Sequence, residues 1–225
     1  MSSASFSGSL NRAGFTRPQL FFLIVVVVLF ALVAIGPVSA YLKKSRINRA
    51  VESARTINTL LSQYATDNND VYPVGEGTPA AGKSEGIARN LLENNYTPDA
   101  SVFAIGSTAK YSGKASDFSD MTAANIGWDF TGGVTPSTGI TTAAPDLLPT
   151  VYATGESIVY PTTAGTGLDL PLSGNGPFGK KGIVVAYKGN NVAFIEGVPS
   201  GTSMTCPGFI SKAFKDTAAY TQIKP

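Results

Sequence analysis

Residues Leu20 to Ile35 form an unbroken apolar run, and with Gly36 to Leu42 the uncharged stretch reaches 23 residues. As a helix this is about 35 Å, the length of a bilayer crossing. A helix apolar on every side has to be covered on every side, by lipid or by other helices. The run therefore predicts an anchor, and any globular body must come from the residues after it. Only Arg12 and Arg17 carry charge in the Ser-rich residues before it.

Two fates fit this terminus. In one, Arg12 and Arg17 are the n-region of a signal peptide, Leu20 to Ile35 its apolar core, and Val38-Ser39-Ala40 its cleavage site. The mature chain then begins at Tyr41. In the other the run is kept and continues as a helix. Ile47, Val51, Ala54, Ile57, Leu61 and Tyr64 recur at helical spacing, with Lys43, Lys44, Arg46, Arg49 and Arg55 mostly on the other faces. No Pro or Gly interrupts Val38 to Asn69, so the second reading predicts one helix to about Thr66. A signal peptide has no need to be in phase with an amphipathic helix, and the retained-helix reading is preferred.

The sequence just before the run, Gly14-Phe15-Thr16 with Gln19 and Leu20 after it, resembles the leader junction of type IV prepilins and type II secretion pseudopilins. The resemblance implies cleavage after Gly14 by a prepilin peptidase and methylation of the new N-terminal Phe15. It also implies packing of the apolar helix into a filament. The family usually has Glu at the fifth mature position, here Gln19. A carboxylate there neutralises a neighbour's N-terminal ammonium, since an unpaired charge in apolar surroundings is costly. Gln19 supplies no charge, and Arg17-Pro18 replaces the usual apolar pair, so the chain is an atypical member. Gly36-Pro37 falls mid-helix, where proline removes a backbone hydrogen bond and loosens the rod.

Further along, Tyr64, Asp67, Asn68, Asn69 and Tyr72-Pro73 resemble the helix exit of major pseudopilins. In physical terms, Asn68 or Asn69 takes a left-handed conformation and Pro73 prevents resumption of the helix. Asp67 and Asp70 fit a cap and turn better than a calcium loop, which needs more ligands and a fixed glycine. Ser84 to Glu93 reads as a short helix with Ser84 as its cap. Short extended segments come next at Val102–Ile105, Gly127–Phe130, Thr150–Ala153, Ser157–Tyr160, Gly182–Tyr187 and Asn191–Glu196, separated by Gly, Pro, Ser and Thr clusters. Two apolar strands flank Lys188-Gly189-Asn190-Asn191, which predicts a hairpin. This hairpin resembles the closing unit of pseudopilins with a His, nine-residue, Asp-Gly signature. Gly189 is kept, while Lys188 and Phe178 stand at the Asp and His positions. Trp128 to Val134 resembles the aromatic-rich segment before those strands.

Composition narrows the chemistry. The chain has no His and one Cys, which excludes His-based triads, His-ligated zinc, Cys-cluster metal sites and an intrachain disulfide framework. No Cys-x-x-Cys motif occurs and no His is present to activate a nucleophile, so no enzymatic activity is expected. The net charge of +2 gives no case for nucleic acid, but it is unevenly divided. Residues 43–55 carry five Lys/Arg and one acid, a net of 5 − 1 = +4, and residues 56–225 carry ten and fourteen, a net of 10 − 14 = −4.

The expected fold is α+β, with a long N-terminal transmembrane-to-periplasmic helix packed on a small antiparallel β-sheet head. Residues 1–14 are expected as leader, 15–42 as transmembrane and filament core, 43–66 as amphipathic helix and 67–225 as head. The expected role is structural, in a type II secretion or type IV pilus-like filament; the alternative is an anchored or secreted binding domain. Expected partners are further copies, other pseudopilins, the prepilin peptidase and the lipid bilayer, with no nucleic acid and no cofactor. The positive-inside count, two cations before the run and four soon after it, opposes export of the head. Long domains translocate with weak regard to charge, and the expected location is the bacterial inner membrane, single-pass, with the head periplasmic or extracellular.

Overall fold

Helix α1 runs from Arg17 to Asp67. The computed structural model describes residues 17–75, 82–106, 108–113 and 117–225, with backbone alone for 30–40. Contacts divide the chain into two units, Met1–Ser45 and Arg46–Pro225, so α1 contributes to both. Pro18 sits in its first turn, where its missing N–H costs no hydrogen bond. At the other end Asn69 and Asp70 take φ of 55° and 63°, and the Asp70 amide donates to the Ala65 carbonyl at 2.8 Å. The left-handed pair closes the helix. Asn69 is one of the two residues the sequence offers for this role, and Asp70 joins it.

In the second unit α1 buries Ala50, Ala54, Ile57, Leu60, Leu61 and Ala65. Relative to the expected face the stripe is rotated, because Ile47, Val51 and Tyr64 are only half-buried and small alanines take the centre. Helix α2, Ser84–Glu93, buries Ile87, Ala88, Leu91 and Leu92 beside it in the same core. Ser84 is not the cap that the sequence suggests. Lys83 holds that position, and Ser84 instead binds the C-terminal segment, its hydroxyl on Ile223 O at 2.9 Å and its amide on Lys224 O at 3.1 Å.

Among the described residues eight strands complete the head: β1 Trp128–Gly132, β2 Pro149–Ala153, β3 Leu168–Leu172, β4 Gly182–Tyr187, β5 Val192–Glu196, β6 Val198–Ser200, β7 Ser203–Ile210 and β8 Thr221–Ile223. They form an antiparallel sheet ordered β5-β4-β2-β1-β8 and a second ordered β3-β7-β6. Strands β1 and β2 are buried at every residue, so the larger sheet is covered on both faces. Pairing of Trp128 with Ala153 and Phe130 with Val151 puts these four on one face. There the Trp128 indole donates to Val102 O at 3.0 Å, beyond the end of α2. Asp129 and Tyr152 pair on the opposite face, where Tyr152 meets Phe209 of β7 edge-on at 5.7 Å.

Four of the expected extended segments become β1, β2, β4 and β5. Val102–Ile105 does not: Asp99 accepts from the Ser101 amide at 2.8 Å and closes a 3-10 turn at Ala100–Phe103. Ser157–Tyr160 is not a strand either, although the Ile158 amide bonds to the Gln222 side chain at 2.9 Å.

The architecture is α+β, but the membrane-crossing element is corrected. Among the described residues no helix is long and apolar enough to cross a membrane. The apolar residues described at this end, Leu20 to Leu29, span about 15 Å as a helix, half a hydrocarbon core. The single-pass inner-membrane location rested on that span and is withdrawn with it.

Candidate functional site

Nine of the ten side chains from Leu20 to Leu29 are exposed, Phe21 and Phe22 at 71% and 70%, and Val26 is half-buried. Successive residues on a helix are turned by about 100°, so exposure over consecutive positions means that every face is bare. Pro18, Gln19, Phe22, Leu23 and Val26 line a shallow groove with apolar walls. Burying one such side chain is worth about 1.5–3 kcal/mol, so covering a ten-residue apolar cylinder is strongly favourable. Beyond it Lys43, Lys44, Arg46 and Arg49 are all exposed. None of the four belongs to an ion pair among the described residues.

Of the expected processing residues, Gly14 and Phe15 lie outside the described residues. Gln19 is exposed in the first turn of α1, on the rim of the apolar groove. The three are therefore not brought together in a described geometry.

The head is internally satisfied where the sequence points to its signature hairpin. Lys188 pairs with Asp146 at 3.2 Å and the Gly189 amide donates to Asp146 O at 2.8 Å. Phe178 packs edge-on against Phe194 at 5.5 Å. Buried Asn58 of α1 donates to Tyr187 O at 3.1 Å and accepts from Thr150 Oγ1 at 2.6 Å. One amide thus fastens the helix to β2 and to the hairpin turn. Asp67 accepts from the Tyr96 hydroxyl at 3.1 Å. Among the described residues no group of three acids, Cys or His is placed to hold a metal ion.

On the other face of the sheet lies a buried polar cluster that sequence reasoning misses. Asp129 of β1 is fully buried; its Oδ2 accepts from Gln222 Nε2 at 2.6 Å, while Oδ1 has no partner within hydrogen-bond distance among the described residues. Burial pushes its carboxyl up to about 6, against the opposing pull of Thr154, Gln222 and Lys224. Gln222 also donates to Glu156 O at 2.7 Å. The buried Glu156 carboxylate accepts from the amides of Ser173 and Gly174, at 2.8 and 3.3 Å. Thr131, Tyr152 and Tyr160 join hydroxyls beside it, with the Tyr152 and Tyr160 oxygens 3.1 Å apart. Burial pushes the Tyr160 phenol up to about 12 and Tyr152 well above its usual value. The only signal in the sequence is an acid inside the aromatic segment Trp128 to Phe130.

No protein family, curated protein or solved structure matches the chain. The function is therefore argued from the exposed helix and the self-contained head.

Proposed function

We propose that the chain is a structural, pilin-like subunit whose N-terminal helical segment packs against the same segment of other copies, with the β-rich heads outside. The observation that carries this reading is the exposure of Leu20 to Leu29 on every face of α1. Large aliphatic and aromatic side chains in water are unfavourable, and a groove rimmed by Pro18, Gln19, Phe22, Leu23 and Val26 accepts a neighbour's apolar ridge. The exposed cations at 43–49 and the net acidic residues 56–225 give neighbouring copies opposite charges to align. The resemblance at Gly14, Phe15 and the Tyr72-Pro73 exit supports the same reading. It adds cleavage after Gly14 and methylation of Phe15 by a prepilin peptidase, and assembly with other pseudopilins.

The mature N-terminus, read by mass spectrometry, tests the processing. Methylated Phe15 supports the reading, whereas Tyr41 or intact Met1 ends it. Chemical crosslinking then tests assembly: cysteines placed at Phe22 and Leu29 are expected to join copies through their helices. Monomers alone at that stage overturn the filament role. Gln19→Glu is expected to raise assembly yield by supplying the missing carboxylate, and an unchanged yield removes any charge-neutralising role at this position.

A further inference from the structure

On the exposed side of α1, Arg46 and Arg49 stand one turn apart, and Lys43 continues the same three-residue spacing. Arg55, further along, shows what a satisfied cation on this helix looks like: it pairs with Glu52 at 2.7 Å. Arg46 and Arg49 have no such partner among the described residues. The helix therefore presents a cationic face that the head does not cover.

The opposite charge gathers where α1 and α2 end side by side. The Tyr64 and Tyr96 rings stand 5.4 Å apart, the Tyr96 hydroxyl donates to Asp67 at 3.1 Å, and Asn68 donates to Tyr96 at 3.3 Å. Asp67, Asp70, Glu93 and Asp99 are exposed around this junction, and none belongs to an ion pair among the described residues. A helix C-terminus is the negative end of its dipole and favours a cation, yet neither helix has a basic residue in its last turn. The sequence has no Lys or Arg from Thr56 to Gly82 or from Asn90 to Ala109.

The two charges cannot meet within one chain. From Arg49 to Asp67 the helix rises by about 27 Å, far beyond the reach of a side chain. A second copy can bring them together. Its apolar segment supplies attraction but no register, because burial of apolar surface is non-directional and a uniform cylinder slides and turns freely. Opposite charges fix register more than they add affinity.

We propose that the Arg46–Arg49 face of α1 is a docking surface for a second copy of the chain, which presents to it the acidic end formed by Asp67, Asp70, Glu93 and Asp99. The contact joins two different surfaces, so every copy keeps one of each for its next neighbours and the contact repeats without closing. Successive copies are offset along α1 by about 30 Å. The docking rests on the filament reading and gives that filament its stagger.

A carbodiimide, which joins an amine to a carboxylate in contact with it, tests the docking on assembled full-length chain mixed from heavy- and light-isotope copies. Links from Lys43 or Lys44 to Asp67, Asp70, Glu93 or Asp99 are expected to pair heavy with light. Assembled material without them overturns the docking and leaves the filament reading standing. Charge reversal gives a second measurement. Arg46→Glu with Arg49→Glu, or Asp67→Lys with Glu93→Lys, is expected to raise the concentration needed for assembly about tenfold. The two reversed chains, mixed, are expected to assemble at the wild-type concentration. Unchanged assembly of either reversed chain alone overturns the docking, as does failure of the mixture when both melt like the wild type. Intact assembly of Arg46→Glu with Arg49→Glu, but lost binding to vesicles of anionic lipid, overturns it in favour of a lipid surface. A wild-type chain that never self-associates overturns the filament reading and the docking together. Should a reversed chain fail to fold, the isotope-mixed links in the wild type decide.

Discussion

Two stretches of one helix obey opposite rules. From Leu20 to Leu29, α1 carries its largest apolar side chains and leaves nearly all of them exposed. From Ala50 to Ala65 it carries mostly alanine, isoleucine and leucine on one face and buries them against the head. Small side chains let the second stretch settle close to the sheet, where Asn58 can reach both Thr150 and the Tyr187 carbonyl. Among the described residues the first stretch has no such partner within its own unit. Apolar content is thus a poor guide to where the fold's own core lies; the periodicity of small and large residues is a better one.

The largest expected effect comes from separating the two stretches. Removing residues 1–45 should leave residues 46–225 folded and monomeric, while the full chain self-associates; light scattering and a thermal melt report both. A head that fails to fold alone breaks the comparison. Next, Trp128→Ala should cost the head about 3–5 kcal/mol in denaturant unfolding, because Trp128 is fully buried. Phe22→Ala, at a position 70% exposed, should change it by less than about 0.5 kcal/mol. Asn58→Ala should cost about 1–3 kcal/mol by stranding the Thr150 hydroxyl and the Tyr187 carbonyl.

A further effect is one of pH. A carboxyl raised to about 6 in the folded head and near 3.9 in the unfolded chain binds its proton more tightly when folded. Its stabilising contribution is complete below about pH 4 and is lost as pH rises through 6. Between pH 5 and pH 7 the wild type should lose about 1–2 kcal/mol relative to Asp129→Asn, read from paired denaturant melts.

Local chemistry explains which parts of the fold the sequence announces. The β4–β5 hairpin is legible because Lys188-Gly189-Asn190-Asn191 interrupts two apolar runs, and Asn190 indeed takes φ of 62°. Strand β7 is illegible because Pro207 and Gly208 break its pattern. They sit where its register with β3 slips, Gly208 at φ of 64° with its amide on Asp169 at 2.6 Å. Pro171 likewise disguises β3, an edge strand that tolerates proline on its exposed side. Strand β8 is too short to carry a periodic signal at all. The buried polar cluster brings Asp129, Glu156 and Gln222 together, and nothing local links positions so far apart in the chain. Of the expected site, Gln19 is legible as an exposed rim residue, while Gly14 and Phe15 rest on motif alone.

The contact between Ser84 and Ile223 joins positions 139 residues apart. At about 5–20 residues per second, the ribosome delivers the apolar helix roughly ten seconds or more before the sheet can acquire its final strand. Throughout that interval an unfinished β1 edge and a bare apolar segment coexist on one nascent chain. The edge of β1 is covered only once Thr221–Ile223 has been made.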